Sequence, residues 1–154
     1  MALINVKKKI EKARGTIGIG DDEVVEAACT TNPAGTVKRM MARELGGAIG
    51  SAVAGRGGDA EGVEGGAADA FVDGQNFLAL TDKRLLLVKV GTMTGKPKEL
   101  LAEWPRDQVA AIEVEDGRMA LPFTIAFADG TAVAVEGAKG TDPRSVATAF
   151  AGSS

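Results

Sequence analysis

The hydrophobic positions of this chain change from a helical spacing in the first third to a period of two in the second half. Near the start, apolar residues recur at alternating steps of three and four, which predicts an amphipathic helix ending near Gly15 or Gly18. These residues are Leu3, Val6, Ile10, Ala13 and Ile17. Three interpretations stay open: a helix docked on its own domain or on a second copy, a basic helix on a membrane surface, or a frayed tail.

A second helical pattern covers residues 35–55, where large apolar residues recur at an exact step of four beside a parallel row of small ones. The large residues are Val37, Met41, Leu45, Ile49 and Val53, and the small ones are Ala42, Gly46, Gly50 and Ala54. The small row predicts a helix-pairing groove that packs on the molecule's own sheet, on a second copy or in a membrane. Three basic residues near the start of this helix oppose the helix dipole, which predicts a contact patch for an acidic partner or for lipid head groups. They are Lys38, Arg39 and Arg43.

The remaining elements are strands and one short helix. Period-two patterns and turn residues predict seven strands, over residues 23–30, 76–81, 84–90, 98–104, 109–115, 121–128 and 131–136. Asp129-Gly130 predicts a two-residue hairpin turn, and Asp142-Pro143 predicts the start of a C-terminal helix. Residues 56–70 are acidic and rich in glycine, which is typical of a flexible linker. The expected architecture is a seven-stranded barrel or sandwich that is capped by a helix.

The composition limits the chemistry that this architecture can perform. The chain has 154 residues, no His and a single Cys, Cys29. These counts exclude a Ser-His-Asp or Cys-His nucleophile, a His-containing metal site and an intramolecular disulfide. Cys29 lies in a predicted strand, so we expect a small buried thiol. We therefore expect no enzymatic activity and no cofactor.

The charge is distributed in blocks. Residues 1–14 and 35–56 are basic and residues 15–34 and 57–75 are acidic, while the net charge is −3. An acidic chain with 4% aromatic residues is a poor nucleic-acid binder, because that function needs a continuous basic face or stacking rings. The charges at the N-terminus follow the apolar residues, the reverse of a secretory signal, and residues 45–55 are too short a run to span a bilayer. We expect a cytoplasmic protein, with peripheral membrane association left open.

Three segments of the second half resemble one known family. They are Phe77–Val90 (FLALTDKRLLLVKV), Trp104–Val109 (WPRDQV) leading into the Ile112-Glu-Val strand, and Phe123–Gly130 (FTIAFADG). Over about residues 71–150, the chain resembles the bacterial pleckstrin-homology-like (PH-like, GRAM-like) domains. The resemblance implies a mainly β, α+β fold: a seven-stranded, strongly bent barrel with a C-terminal capping helix. It also implies a non-enzymatic binding or scaffolding module, since many bacterial members bind proteins or have no known ligand.

On this interpretation the PH-like domain covers residues 21–154, with the inserted helix 35–55 and the linker 56–70, while residues 1–20 form the N-terminal helix or tail. Phosphoinositide-binding members of the family gather Lys and Arg between their first two strands. Here residues 31–75, the predicted helix and the acidic linker, occupy that connection, and the acids of the linker follow Lys38, Arg39 and Arg43. Lys96 and Lys98 fit a solvated loop better than a lipid contact. The leading hypothesis is a module that engages a protein partner, with an anionic membrane surface as a less favoured partner. The alternative is a structural protein that forms homo-oligomers through the groove of Ala42, Gly46, Gly50 and Ala54.

Overall fold

The fold is an antiparallel β-sheet with a helix at its C-terminal end. The computed structural model describes residues 5–31, 38–41, 67–72, 75–91, 93–118 and 120–152. The strands are β1 (Val25–Thr31), β2 (Lys38–Met41), β3 (Asn76–Thr81), β4 (Arg84–Val90), β5 (Pro97–Pro105), β6 (Val109–Val114), β7 (Ala120–Phe127) and β8 (Thr131–Ala138). The α-helices are α1 (Val6–Lys12), α2 (Arg14–Ile17) and α3 (Pro143–Gly152), and 3₁₀ turns cover Ala67–Ala70, Arg106–Gln108 and Lys139–Thr141. The strand order is β5-β4-β3-β1-β8-β7-β6, and β2 also pairs with β8.

The seven strands predicted from the sequence are confirmed, and so is the C-terminal helix that begins at Pro143. In β7 the predicted alternation is also confirmed, since Leu121, Phe123, Ile125 and Phe127 are all buried. The two-residue turn is wrong by one residue, because residues 128–130 all lie between β7 and β8. Gly130 takes a φ of +91°, the left-handed conformation that three-residue hairpin loops use.

The predicted helix over residues 35–55 is wrong where the structure describes it. Lys38 to Met41 form β2, with Lys38 opposite Ala134 and Met41 opposite Thr131. Thr31 of β1 is opposite Gly137 on the same strand, so β2 continues the line of β1 along β8. Pairing with β8 gives these residues backbone partners that the spacing of side chains within one segment cannot reveal.

Two layers of apolar side chains cover the two faces of the central strands. The inner core draws on both ends of the sheet and on α3, with Leu85, Trp104, Ile112 and Val146 in one cluster. The outer core lies between the N-terminal segment and strands β1, β3 and β4, and its members are Val6, Ile10, Ile17, Ile19, Val25, Ala28, Phe77, Ala79, Leu86 and Val88. Every residue of β3 is buried as a result. Of the three interpretations of the N-terminal helix, docking on its own sheet is the one observed.

The predicted linker is wrong at its C-terminal end. Residues 67–70 form a 3₁₀ turn, with the indole Nε1 of Trp104 donating to Ala67 O over 2.9 Å and Ala67 N donating to Asp129 Oδ2 over 2.7 Å. Phe71 follows, 1% exposed, and stacks on Trp104 with 6.0 Å between ring centroids. Indole stacking and two hydrogen bonds, which composition alone does not indicate, attach this end of the segment to the inner core.

Candidate binding surface

The first of two polar regions on β4 lies where the strand begins, and Arg84 is at its centre. The Arg84 guanidinium donates to the Glu23 carboxylate from Nε over 2.9 Å and from Nη2 over 3.0 Å. It also donates to Glu103 over 2.9 Å and to Gly18 O over 2.8 Å. The Thr81 hydroxyl also donates to the Glu23 carboxylate, at Oε2, over 2.6 Å. We call Glu23, Thr81, Arg84 and Glu103 the Arg84 cluster.

The Arg84 cluster holds the N-terminal segment on the sheet. Glu23 is only 4% exposed, and the hydrogen bonds from Arg84 keep the pKa of its carboxyl below the ordinary range although burial opposes that shift. The same contacts raise the pKa of Arg84. Arg14 donates to the carbonyls of Gly20 and Glu23, which fixes the chain between α2 and β1. Both charges of this buried pair are therefore used to maintain the fold.

The remaining polar residues of the β3–β4 turn are paired in the same way. Lys83 lies 2.7 Å from Asp22, and Asp82 accepts from Val24 N over 3.0 Å. The segment Thr81-Asp82-Lys83-Arg84 carries part of the family resemblance. Each of its side chains contacts residues 22–24, directly before β1. In this chain the motif performs a structural task.

The second polar region lies at the other end of β4, in the hairpin that leads to β5. Gly91 N donates to Lys96 O and Gly95 N donates to Gly91 O, each over 2.8 Å. Gly95 closes the turn with a φ of +65°. Lys9 of α1 donates to Gly95 O over 3.3 Å, so this hairpin is attached to the basic N-terminal helix.

An open groove of about 480 Å³ lies along this hairpin. It is lined by Thr16, Gly91, Met93, Thr94, Lys96, Pro97 and Lys98. We call these residues together with Lys9 the Lys-Met surface. Met93 is 95% exposed, and Lys96 and Lys98 are exposed beside it. Among the ion pairs of the described residues, none involves Lys9, Lys96 or Lys98.

This surface has the chemistry of a contact site. Its ammonium groups attract anions, and its thioether side chain supplies an adaptable apolar contact. A partner that is negatively charged and has an apolar region satisfies both properties. By contrast, the thiol of Cys29 is fully buried, and burial raises its pKa, so it is not available as a nucleophile. The expectation of a buried thiol is confirmed.

The site residues predicted from the sequence lie mostly outside the part of the chain that the structure describes. Ala42, Gly46, Gly50 and Ala54 of the groove and Arg43 of the basic patch all fall outside it. Lys38 and Arg39 lie in β2, and only their backbone is described. The predicted groove and the predicted basic patch therefore stay predictions. Sequence reasoning weighed Lys96 and Lys98 but missed Met93, whose signal is one large apolar residue within a polar glycine-containing loop.

No helix in the part of the chain that the structure describes is both long and apolar enough to cross a bilayer. The chain matches no protein-family model, and no curated protein is significantly similar to it.

Proposed function

We propose that this chain is a non-enzymatic PH-like binding module. The strand order β5-β4-β3-β1-β8-β7-β6 supports the proposal, because both terminal strands contribute to one inner core. The helix α3 supports it as well, since Val146 is buried in that core. In the PH-like interpretation, the sheet is strongly bent and α3 closes one end of it.

The module binds a protein partner with an acidic surface through the Lys-Met surface, and the exposure of Met93 carries this proposal. Within the described residues three large apolar side chains are exposed: Met93 at 95%, Val24 at 58% and Val72 at 42%. Met93 alone of the three lies in a hairpin that also presents Lys96 and Lys98. Methionine is enriched in protein interfaces, and the lysines beside Met93 attract a partner with an acidic surface.

Photo-cross-linking in cells tests this proposal. A benzoylphenylalanine at position 93 should form a discrete cross-linked product, and the Lys96→Glu/Lys98→Glu background should reduce it several-fold. The same probe at Val24, exposed near the Arg84 cluster, is the matched control. Equal products from both positions, or none from position 93, would contradict the proposal.

An anionic membrane is the second candidate partner, favoured because α1 and the hairpin present lysines together beside Met93. Lysines near a bilayer contribute about 1 kcal/mol each through attraction to anionic lipids. Co-sedimentation with phosphatidylserine vesicles at low salt tests it, with phosphatidylcholine vesicles as the control. Equal pelleting with both lipids, or no pelleting with either, would contradict the anionic membrane as a partner, and a protein would then be the partner to test.

Self-assembly through the groove of Ala42, Gly46, Gly50 and Ala54 is the alternative function, favoured by the exact step-four spacing of these small residues. Light scattering on the wild type and on Gly46→Leu/Gly50→Leu tests it. An oligomer that the double substitution dissociates supports self-assembly. A monomer that the substitution leaves unchanged excludes it. For either function we propose a cytoplasmic protein, peripheral at the membrane if the second candidate holds.

A further inference from the structure

The two strands that end the sheet order differ in how they protect their open edges. β5 begins with Pro97, ends with Pro105, and shifts register twice against β4. Prolines and bulges are devices that prevent an edge strand from pairing with another chain. β6 contains no proline, and its register shifts only at its start, between Val109 and Ala111. Of these two edges, β6 is the one suited to accept another strand.

The backbone groups on the open edge of β6 can be identified from its pairing with β7. Glu115 N donates to Pro122 O over 2.9 Å, which places these two residues at a hydrogen-bonded position of the ladder, with one bond because Pro122 has no N–H. Pairs alternate along an antiparallel ladder, so the backbone groups of Ile112 and Val114 point away from β7. Among the backbone hydrogen bonds of turns and loops in the described residues, none involves these groups.

The charges beside this edge indicate which kind of strand fits it. Asp107, Glu113 and Glu115 are exposed along β6 and its ends, and no described cation forms an ion pair with them. Two nearby cations, Arg106 and Arg144, are already paired, with Glu26 and Asp116, and a third, Arg118, is exposed in the β6–β7 turn. When a second copy pairs through β6 with Ile112 opposite Val114, the two Glu113 carboxylates face each other, which is destabilising. A basic strand has the complementary charge.

From this geometry we propose that β6 accepts an extended, basic peptide segment of a partner protein as an additional antiparallel strand. Ile112 and Val114 supply the backbone donors and acceptors, and Glu113 and Glu115 select for basic side chains. α3 packs against β6 and forms the neighbouring wall of this site. The inference rests on the proposed function as a protein-binding module, and it assigns a second contact surface, separate from the Lys-Met surface.

The probe is a capped six-residue peptide of alternating lysine and valine, titrated into the isotope-labelled full chain. We expect shifts and slower exchange at the amides of Ile112 and Val114. A peptide of alternating glutamate and valine, and a lysine-valine peptide with N-methylated backbone, should bind at least tenfold more weakly. Glu113→Lys/Glu115→Lys should weaken the lysine peptide roughly tenfold and favour the glutamate peptide. Glu99→Lys on β5 is the matched control and should change neither affinity.

Three outcomes would overturn the inference: shifts that map to β5, equal affinity for the N-methylated peptide, or protection of β6 by dimerisation without any peptide. Cross-linking from position 93 reports on the proposed function separately. A specific cross-linked product at position 93 without peptide binding at β6 would support the protein-binding function and contradict only the site at β6.

Discussion

The basic residues near the two ends of β4 differ in their exposure and in their partners. At the start of the strand, Arg84 contacts Glu23, Glu103 and a carbonyl, and its side chain is 18% exposed. At the other end, Lys96 and Lys98 are exposed and form no ion pair with a described residue. Removing one partner of a largely buried ion pair leaves an uncompensated charge, whereas an exposed charge without an ion pair contributes little to stability. Pairing, more than charge, separates the structural region from the proposed contact region.

The largest expected effect is on the paired end. Arg84→Ala leaves the Glu23 carboxylate buried without its main donor, so we expect about 3 kcal/mol lower free energy of unfolding in urea. Lys83→Ala is the control, because the Lys83–Asp22 pair is exposed and should contribute little to the free energy of unfolding. If the two variants lose the same stability, the distinction between the two ends of β4 is wrong.

The second effect is a pH dependence that comes from Glu23. Its pKa is lowered in the folded chain, so the folded state gains stability where the carboxyl is ionised in both states. That contribution is complete above the unfolded-state pKa, about 4.3 for a free glutamate. It is lost as the pH falls through the lowered folded-state pKa. We expect urea midpoints measured between pH 6 and pH 3 to fall less steeply in Glu23→Gln. The same pH dependence in the wild type and in Glu23→Gln would show that folding does not lower the pKa of Glu23.

The sequence predicts the strands well because their signals are local. Alternation in Leu121, Phe123, Ile125 and Phe127 reports one buried face, and polar turns mark the strand ends. β3 is buried on both faces, because the inner core covers one face and the N-terminal segment covers the other. A period-two pattern within the strand does not show that its second face is covered. The strand at Lys38–Met41 depends on the position of β8, about a hundred residues away in the chain. Spacing within one segment therefore predicted a helix.

The candidate site was harder to predict for the same reason. Lys9 and Gly95 are 86 residues apart, and only the packing of α1 on the sheet brings the basic helix to the hairpin. Glu23 is one of four acids in the acidic block of residues 15–34, and the sequence does not show that it is the one with 4% exposure. The burial of Glu23 depends on its contact with Arg84, which is 61 residues away in the chain.

A smaller effect tests the attachment of the hairpin to α1. Lys9→Ala removes a single side-chain hydrogen bond of 3.3 Å, so we expect a loss of about 0.5 kcal/mol or less. Amide exchange of Gly95 and Lys96 should become faster, while exchange of Leu86 in the middle of β4 stays unchanged. A large loss of stability would mean that this hairpin belongs to the structural region.

The smallest expected change in stability is at Met93. Its side chain is 95% exposed, so Met93→Ser removes almost no buried area and should leave the urea midpoint unchanged. Leu86→Ser, at a fully buried position on the same hairpin, is the contrasting variant and should strongly destabilise the fold. Pull-down of the partner identified by cross-linking should nevertheless weaken several-fold with Met93→Ser. Unchanged stability together with unchanged binding would show that Met93 belongs to a solvated loop that contacts no partner. The two ends of β4 would then differ only in their contribution to stability.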